Sequence, residues 1–144
     1  MILLMVTPSN DPIGVPSDWH RFLYRSILLP WEVNGRAGLA AARFNKQCPI
    51  AGVTLVKKDS VREVAEAWHS IRRNGQPLNQ LTFYSGSAAL VDLVGHLRNC
   101  VAHGDYSCSK RNVIFFWHEH QGKLKLFGSV NFSKLKELIA HTVT

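Results

Sequence analysis

The chain has 144 residues, 46% apolar and 19% charged, which describes an ordinary folded domain and excludes both a disordered tail and a second large domain. Its 17 Lys and Arg against 10 Asp and Glu leave a net charge of +7, so a polyanion is a natural partner without being a required one. Three cysteines, Cys48, Cys100 and Cys108, are an odd number with no pair at metal-ligand spacing, and point to a reduced, cytoplasmic protein with structural thiols, no metal and no cofactor.

Met1 to Val6 is apolar but short, lacks a basic leader and meets Pro8, so it reads as a strand or tucked terminal segment and not as a signal core or membrane span. Residues 1–16, with Pro8, Pro12, Gly14 and Pro16, are expected to be irregular. Ser17 caps a helix whose Trp19, Phe22, Leu23 and Ile27 share a face and which should end near Pro30. Arg36 to Phe44, rich in Ala, reads as a second short helix, while Pro49 to Val56 is a strand or an extended connector with no assigned place. Ser60 and Glu63 form a capping box that opens a third helix, carried by Val61, Val64, Trp68 and Ile71 and closed by Asn74-Gly75. Arg62 and His69 are ordinary face residues of that helix.

The site helix is expected at about 86–103, ending at Gly104. At ~100° per residue, Leu90, Leu93, Val94, Leu97 and Val101 form one stripe and Asp92, His96, Asn99 and His103 the opposite one. A solvated face would carry Lys and Glu; this one carries groups that donate, accept and move protons near neutral pH. Beyond it, Tyr106 to Asn112 reads as a polar, basic loop with Lys110 and Arg111. A β-hairpin follows over about 113–129, turning at Gln121-Gly122, and Asn131 or Ser133 starts a closing helix with Phe132, Leu135, Leu138 and Ile139 inward. His118 and His120 share a face of the first hairpin strand with Glu119 opposite, and without a third ligand at zinc spacing they read as exposed strand residues.

The string Leu97-Arg-Asn-Cys-Val-Ala-His-Gly104 resembles the HEPN family, whose mark is Arg, often followed by Asn, and then His after four to six intervening residues, near the end of a long helix. The match covers about 88–106, and the order of long helix, hairpin and short helix is similar to many members. The resemblance implies a mostly α fold over 1–144, a HEPN-like bundle of roughly four to five helices with the late β-hairpin before the last helix. It also implies a metal-independent endoribonuclease, a toxin or defence protein of bacterial or plasmid type, with a composite site at a homodimer interface. An antitoxin or a nucleotidyltransferase would be its protein partner. Some family toxins carry a modifiable Tyr two residues after the His; Tyr106 stands three after, a departure from that pattern.

RNA carries its own nucleophile, so cleavage needs a base for the 2′-hydroxyl, an acid for the leaving 5′ oxygen and a cation for the phosphorane charge. In this scheme Arg98 grips the phosphate, His103 moves protons and Asn99 positions, while Lys110, Arg111 and His96 bind substrate. Arg98 and His103 diverge by roughly 140° on a helix, so a two-fold mate would have to complete the site, and Gly95 and Ala102 are small enough to admit one. The same small residues suit packing within one chain. The plainer alternative makes His103 a helix cap and pairs Arg98 with Asp92 or Asp105, with Asp92 also within reach of His96. A non-catalytic HEPN-like module that binds RNA, a nucleotide or a protein through the same residues is the competing function.

Overall fold

A computed structural model describes residues 17–34, 46–75, 77–86, 89–109 and 111–142. The elements in chain order are α1 (Ser17–Leu23), a π-helical turn (Tyr24–Leu28), α2 (Leu29–Asn34), β1 (Gln47–Ile50), β2 (Val53–Lys58), α3 (Val61–Asn74), β3 (Gln80–Tyr84), α4 (Ala89–His103), β4 (Tyr106–Cys108), β5 (Val113–His120), β6 (Lys123–Asn131) and α5 (Phe132–His141). The irregular segment expected over residues 1–16 and the helix expected at Arg36 to Phe44 lie outside the described residues.

The expectation of a mostly α bundle is corrected: the strands form one six-stranded mixed sheet in the order β1-β2-β3-β6-β5-β4, making an α/β fold. Only β2 and β3 run parallel, joined through α3; every other neighbouring pair is antiparallel. The late hairpin is therefore not an appendage. Its strand β6 sits mid-sheet between β3 and β5.

Strands β1 and β2 turn at Ala51-Gly52, both at positive φ (54° and 82°), the backbone of a primed two-residue hairpin. Asn or Asp is the usual first residue there, so an Ala hides the turn from a reader of the sequence. Strand β3 is five residues whose three central side chains are all buried, and without polar alternation it gives no period to read. Gly128 on β6 is packed against β3: a Cβ there would lie 2.2 Å from the Gln80 carbonyl oxygen, and its φ is +150°. The helical path does not stop at Pro30. Leu29 N–H bonds back to Tyr24 O in i+5 fashion, and Pro30, which has no N–H to continue that pattern, follows directly in the first turn of α2.

Helices cover both faces of the sheet. On one, Leu23, Ile27, Leu93, Leu97, Cys100, Leu135 and Leu138 pack against Leu55, Leu81, Phe83, Ile114, Phe116 and Leu126. On the other, Val64 and Trp68 of α3 meet Phe115, Leu124 and Phe127, with Trp68 edge-on to Trp117 at 4.9 Å. Leu124 and Leu126, two apart on β6, belong to opposite faces because the register against β5 slips between His118 and Glu119, leaving Lys125 without a partner in the ladder. No helix among the described residues is long and apolar enough to cross a membrane.

Candidate functional site

Helix α4 lies over the sheet with its apolar stripe inward: Leu90, Leu93, Val94, Leu97 and Cys100 are buried. It ends at His103, and Asp105 N–H closes it on Cys100 O at 2.8 Å. Its polar stripe does not simply face solvent. The first half meets the end of β3, where Ser85 Oγ donates to Asp92 Oδ2 at 2.7 Å and His96 Nε2 donates to Tyr84 O at 2.7 Å. The Asp92 carboxylate thus takes the Ser85 hydroxyl, and its influence on His96, four residues on, is through charge.

The second half meets β5 and α2. Arg98 Nε donates to Glu32 Oε1 at 2.7 Å and Nη2 donates to the same oxygen, while Nη1 donates to Asn99 Oδ1 at 2.9 Å. With its oxygen turned to Arg98, Asn99 presents Nδ2 to His118 Nε2 at 3.3 Å. That nitrogen must accept, so the ring proton of His118 sits on Nδ1, which is buried and has no hydrogen-bond partner among the described residues. His118 and His96 face each other with ring centroids 5.6 Å apart. Glu32, Arg98, Asn99 and His118 form a hydrogen-bonded chain that orients an amide and an imidazole.

Both rings are held neutral. Burial pushes His96 below the ordinary histidine value, assisted by Lys125 and opposed by the Tyr84 carbonyl and Asp92. His118 is pushed down to about 4, first by burial, then by the neighbouring charges of His96, Lys125, His120 and His103.

Three sequence expectations are corrected. His118 is 5% exposed and not a surface strand residue, because α4 extends over the end of β5 and covers it; Glu119 and His120, beyond the register slip, are exposed. The partner of Arg98 is Glu32, not Asp92 or Asp105, an approach across 66 positions that no local spacing announces. Tyr106 begins strand β4 and not a loop; its hydroxyl is bonded to His20 Nδ1 at 2.7 Å and burial raises it to about 12.

Of the sequence candidates, Arg98 and Asn99 are gathered into the hydrogen-bonded chain, His96 is bonded to Tyr84 O and faces the His118 ring, and His103 stands exposed at the end of the same stripe. Arg111 is exposed in the turn before β5, and Lys110 lies outside the described residues. Gly95 faces Trp31 of α2, whose ring a Cβ would meet at 3.2 Å, so here the small residue admits an intrachain neighbour. Sequence reasoning missed Glu32, Tyr84 and Ser85 as members of the network and misplaced His118. Only His118, in the unusual Trp-His-Glu-His string, carried any signal.

Among the described residues no group of three or more His, Cys, Asp or Glu is placed to hold a metal ion. A polar cavity of about 580 Å³ on the opposite face of the sheet, between α3 and β1 to β3, contains no histidine among its lining residues. Compared with family models, curated proteins and solved structures, the chain matches none.

Proposed function

We propose that the chain is a metal-independent endoribonuclease whose site runs along the polar stripe of α4, with Asn99, His96 and His103 as its working residues, Arg98 beside the stripe as the phosphate grip, and His118 as the positioning residue beneath Asn99. The observation that carries this reading is the joining of that stripe, by hydrogen bonds, to a buried neutral imidazole on β5. The net charge of +7 and the Arg-Asn-x-x-x-His string shared with HEPN ribonucleases support the same substrate.

His96 and His103 are seven residues apart, two turns, so they stand on one face about 10 Å apart along the axis, with Asn99 between them. A phosphodiester lying across that interval has an imidazole on either side. His96, neutral because it is desolvated and with its Nε2–H engaged by Tyr84 O, keeps Nδ1 as the basic nitrogen. It takes the 2′-hydroxyl proton; the oxygen attacks phosphorus; the bond from phosphorus to the 5′ oxygen breaks as His103 supplies that oxygen's proton. The products are a 2′,3′-cyclic phosphate and a 5′-hydroxyl. Arg98 stabilises the charge on the phosphoryl oxygens. The histidine pair lies within one chain, but Arg98 leaves the helix roughly 140° round from His103, so the homodimer that the family resemblance implies is what would bring an Arg98 to the pair. The toxin or defence role, with its antitoxin or nucleotidyltransferase, is likewise proposed from that resemblance.

The test is incubation of the purified protein with mixed RNA in EDTA. Cleavage leaving 2′,3′-cyclic ends, abolished by His103→Ala, His96→Ala and Arg98→Ala in variants that keep their circular dichroism spectrum, supports the assignment. Cleavage surviving all three changes removes it. One observation favours a second reading, a non-catalytic RNA-binding module: Arg98 already has a carboxylate partner inside the chain. On that reading RNA binds, is not cut, and binds equally well to His103→Ala.

A further inference from the structure

We propose that Glu32 is an internal stand-in for a phosphate in the Arg98 fork, so that α2 holds the candidate site closed until an RNA phosphodiester displaces it. This rests on the ribonuclease reading for the identity of the displacing group, and adds a regulatory contact to it.

A guanidinium grips an oxyanion best along its Nε and Nη2 edge, where two N–H groups point the same way. That edge of Arg98 is given wholly to one oxygen of Glu32, and Nη1 is given to Asn99. A phosphate therefore cannot take the fork while Glu32 is in it. The Asn99 contact, by contrast, can persist, so displacement leaves Arg98 still tied to the α4 network.

The pair is built to open. The Arg98 and Glu32 side chains are 27% and 47% exposed, and an ion pair this wet is weakly held. Glu32 rides on a six-residue helix that follows a π-helical turn, so α2 is not a continuation of a regular, fully bonded α-helix. Among the large side chains of α2, Leu29 and Val33 are substantially exposed. Among the described residues, Trp31 against Gly95 and the Glu32–Arg98 pair link α2 directly to the site helix, while the π-helical turn before it is anchored by the buried Ile27. An incoming phosphodiester offers two non-bridging oxygens to the fork where Glu32 offers one.

The experiment measures binding apart from cleavage by using a fluorescent 2′-O-methyl RNA oligonucleotide, whose nucleophile is blocked. Glu32→Gln should bind it about three- to fivefold tighter than wild type at low salt. Glu137→Gln, which removes an equal charge from the exposed face of α5, measures what net charge alone does. Adding Arg98→Gln to Glu32→Gln should abolish the gain. A Glu32→Gln protein no tighter than Glu137→Gln, or a gain that survives loss of Arg98, overturns the proposal. Should Glu32→Gln fail to fold, the wild-type Arg98 Nε–H resonance decides: it moves on addition of the oligonucleotide if Glu32 is displaced, and a resonance unmoved at saturation overturns the proposal. If Glu32→Gln gains affinity through Arg98 while no variant cuts unmodified RNA, the closing contact stands and the nuclease reading falls. If wild type cuts RNA and Glu32→Gln cuts it with unchanged KM and kcat, the nuclease stands and the closing contact falls.

Discussion

Asn99 of α4 and His118 of β5 are joined at 3.3 Å, and the direction of that bond is set from the other side by Arg98, which holds the Asn99 oxygen at 2.9 Å. The amide cannot turn over without facing its oxygen to a lone pair and its NH₂ to a guanidinium. A one-residue helix partner thereby dictates which nitrogen of a buried histidine carries the proton.

Asn99→Ala removes both contacts and leaves both ring nitrogens of His118 without a hydrogen-bond partner among the described residues. The expected loss is about 1–2 kcal/mol in urea denaturation. Asn99→Asp should instead set a carboxylate beside the imidazole and raise its pKa from about 4 toward the ordinary histidine range. Titration of the His118 ring signals by NMR reads this directly, and an unmoved midpoint would show that Asn99 does not control the ring.

Stability should fall as the pH drops below the ordinary histidine range. His118 binds its proton at about 4 when folded and near 6.5 when unfolded, so between those values the unfolded chain holds more protons. The contribution is complete above pH 6.5 and is lost as pH drops toward 4. The shift corresponds to at most about 3 kcal/mol, and solvent screening brings it nearer 1–2. His96, shifted the same way, adds to it. Thermal unfolding at pH 7.5 and at 4.5 should differ by less in His118→Gln than in wild type.

Gly128→Ala should damage the fold severely. The added methyl would lie 2.2 Å from Gln80 O and 2.9 Å from Leu81 Cα, both backbone, so β6 and β3 would have to separate at the centre of the sheet. A loss of about 3 kcal/mol or more is expected, readable as a large drop in denaturation midpoint or as insoluble expression.

Ser60→Ala should cost about 1 kcal/mol, because Ser60 Oγ accepts the Glu63 N–H at 3.2 Å at the start of α3. Ser60→Asp should retain most of the stability. Equal losses in both variants would mean that the cap is not what holds this end.

Helices with strong punctuation were legible from residues alone. Ser60 and Glu63 before a 3.6-residue apolar period, and Gly75 after it, specify α3 without help from the rest of the chain. The apolar stripe of α4 and its stop at Gly104 are equally local. Strand β3 was not legible, and β1 and β2 were legible only as a strand or extended connector without a place over Pro49 to Val56: an Ala in a positive-φ turn, and a five-residue strand buried on both faces, carry no period or turn residue to find. With them went the fold class, since a reader who misses those strands sees only helices and one hairpin. The HEPN-like bundle expected from the α4 string fails for that reason; a likeness over one helix does not constrain what the helix packs against.

What the sequence by itself determined is a basic chain with an amphipathic helix whose polar stripe bears Asp92, His96, Asn99 and His103, because side-chain order along a helix is a local property of 3.6 residues per turn. Only the tertiary structure decided that His118 lies under that stripe with its proton on Nδ1, and that Glu32 occupies the Arg98 fork. Those relations join residues 19 and 66 positions apart, and depend on how a sheet and a short helix come to rest against α4.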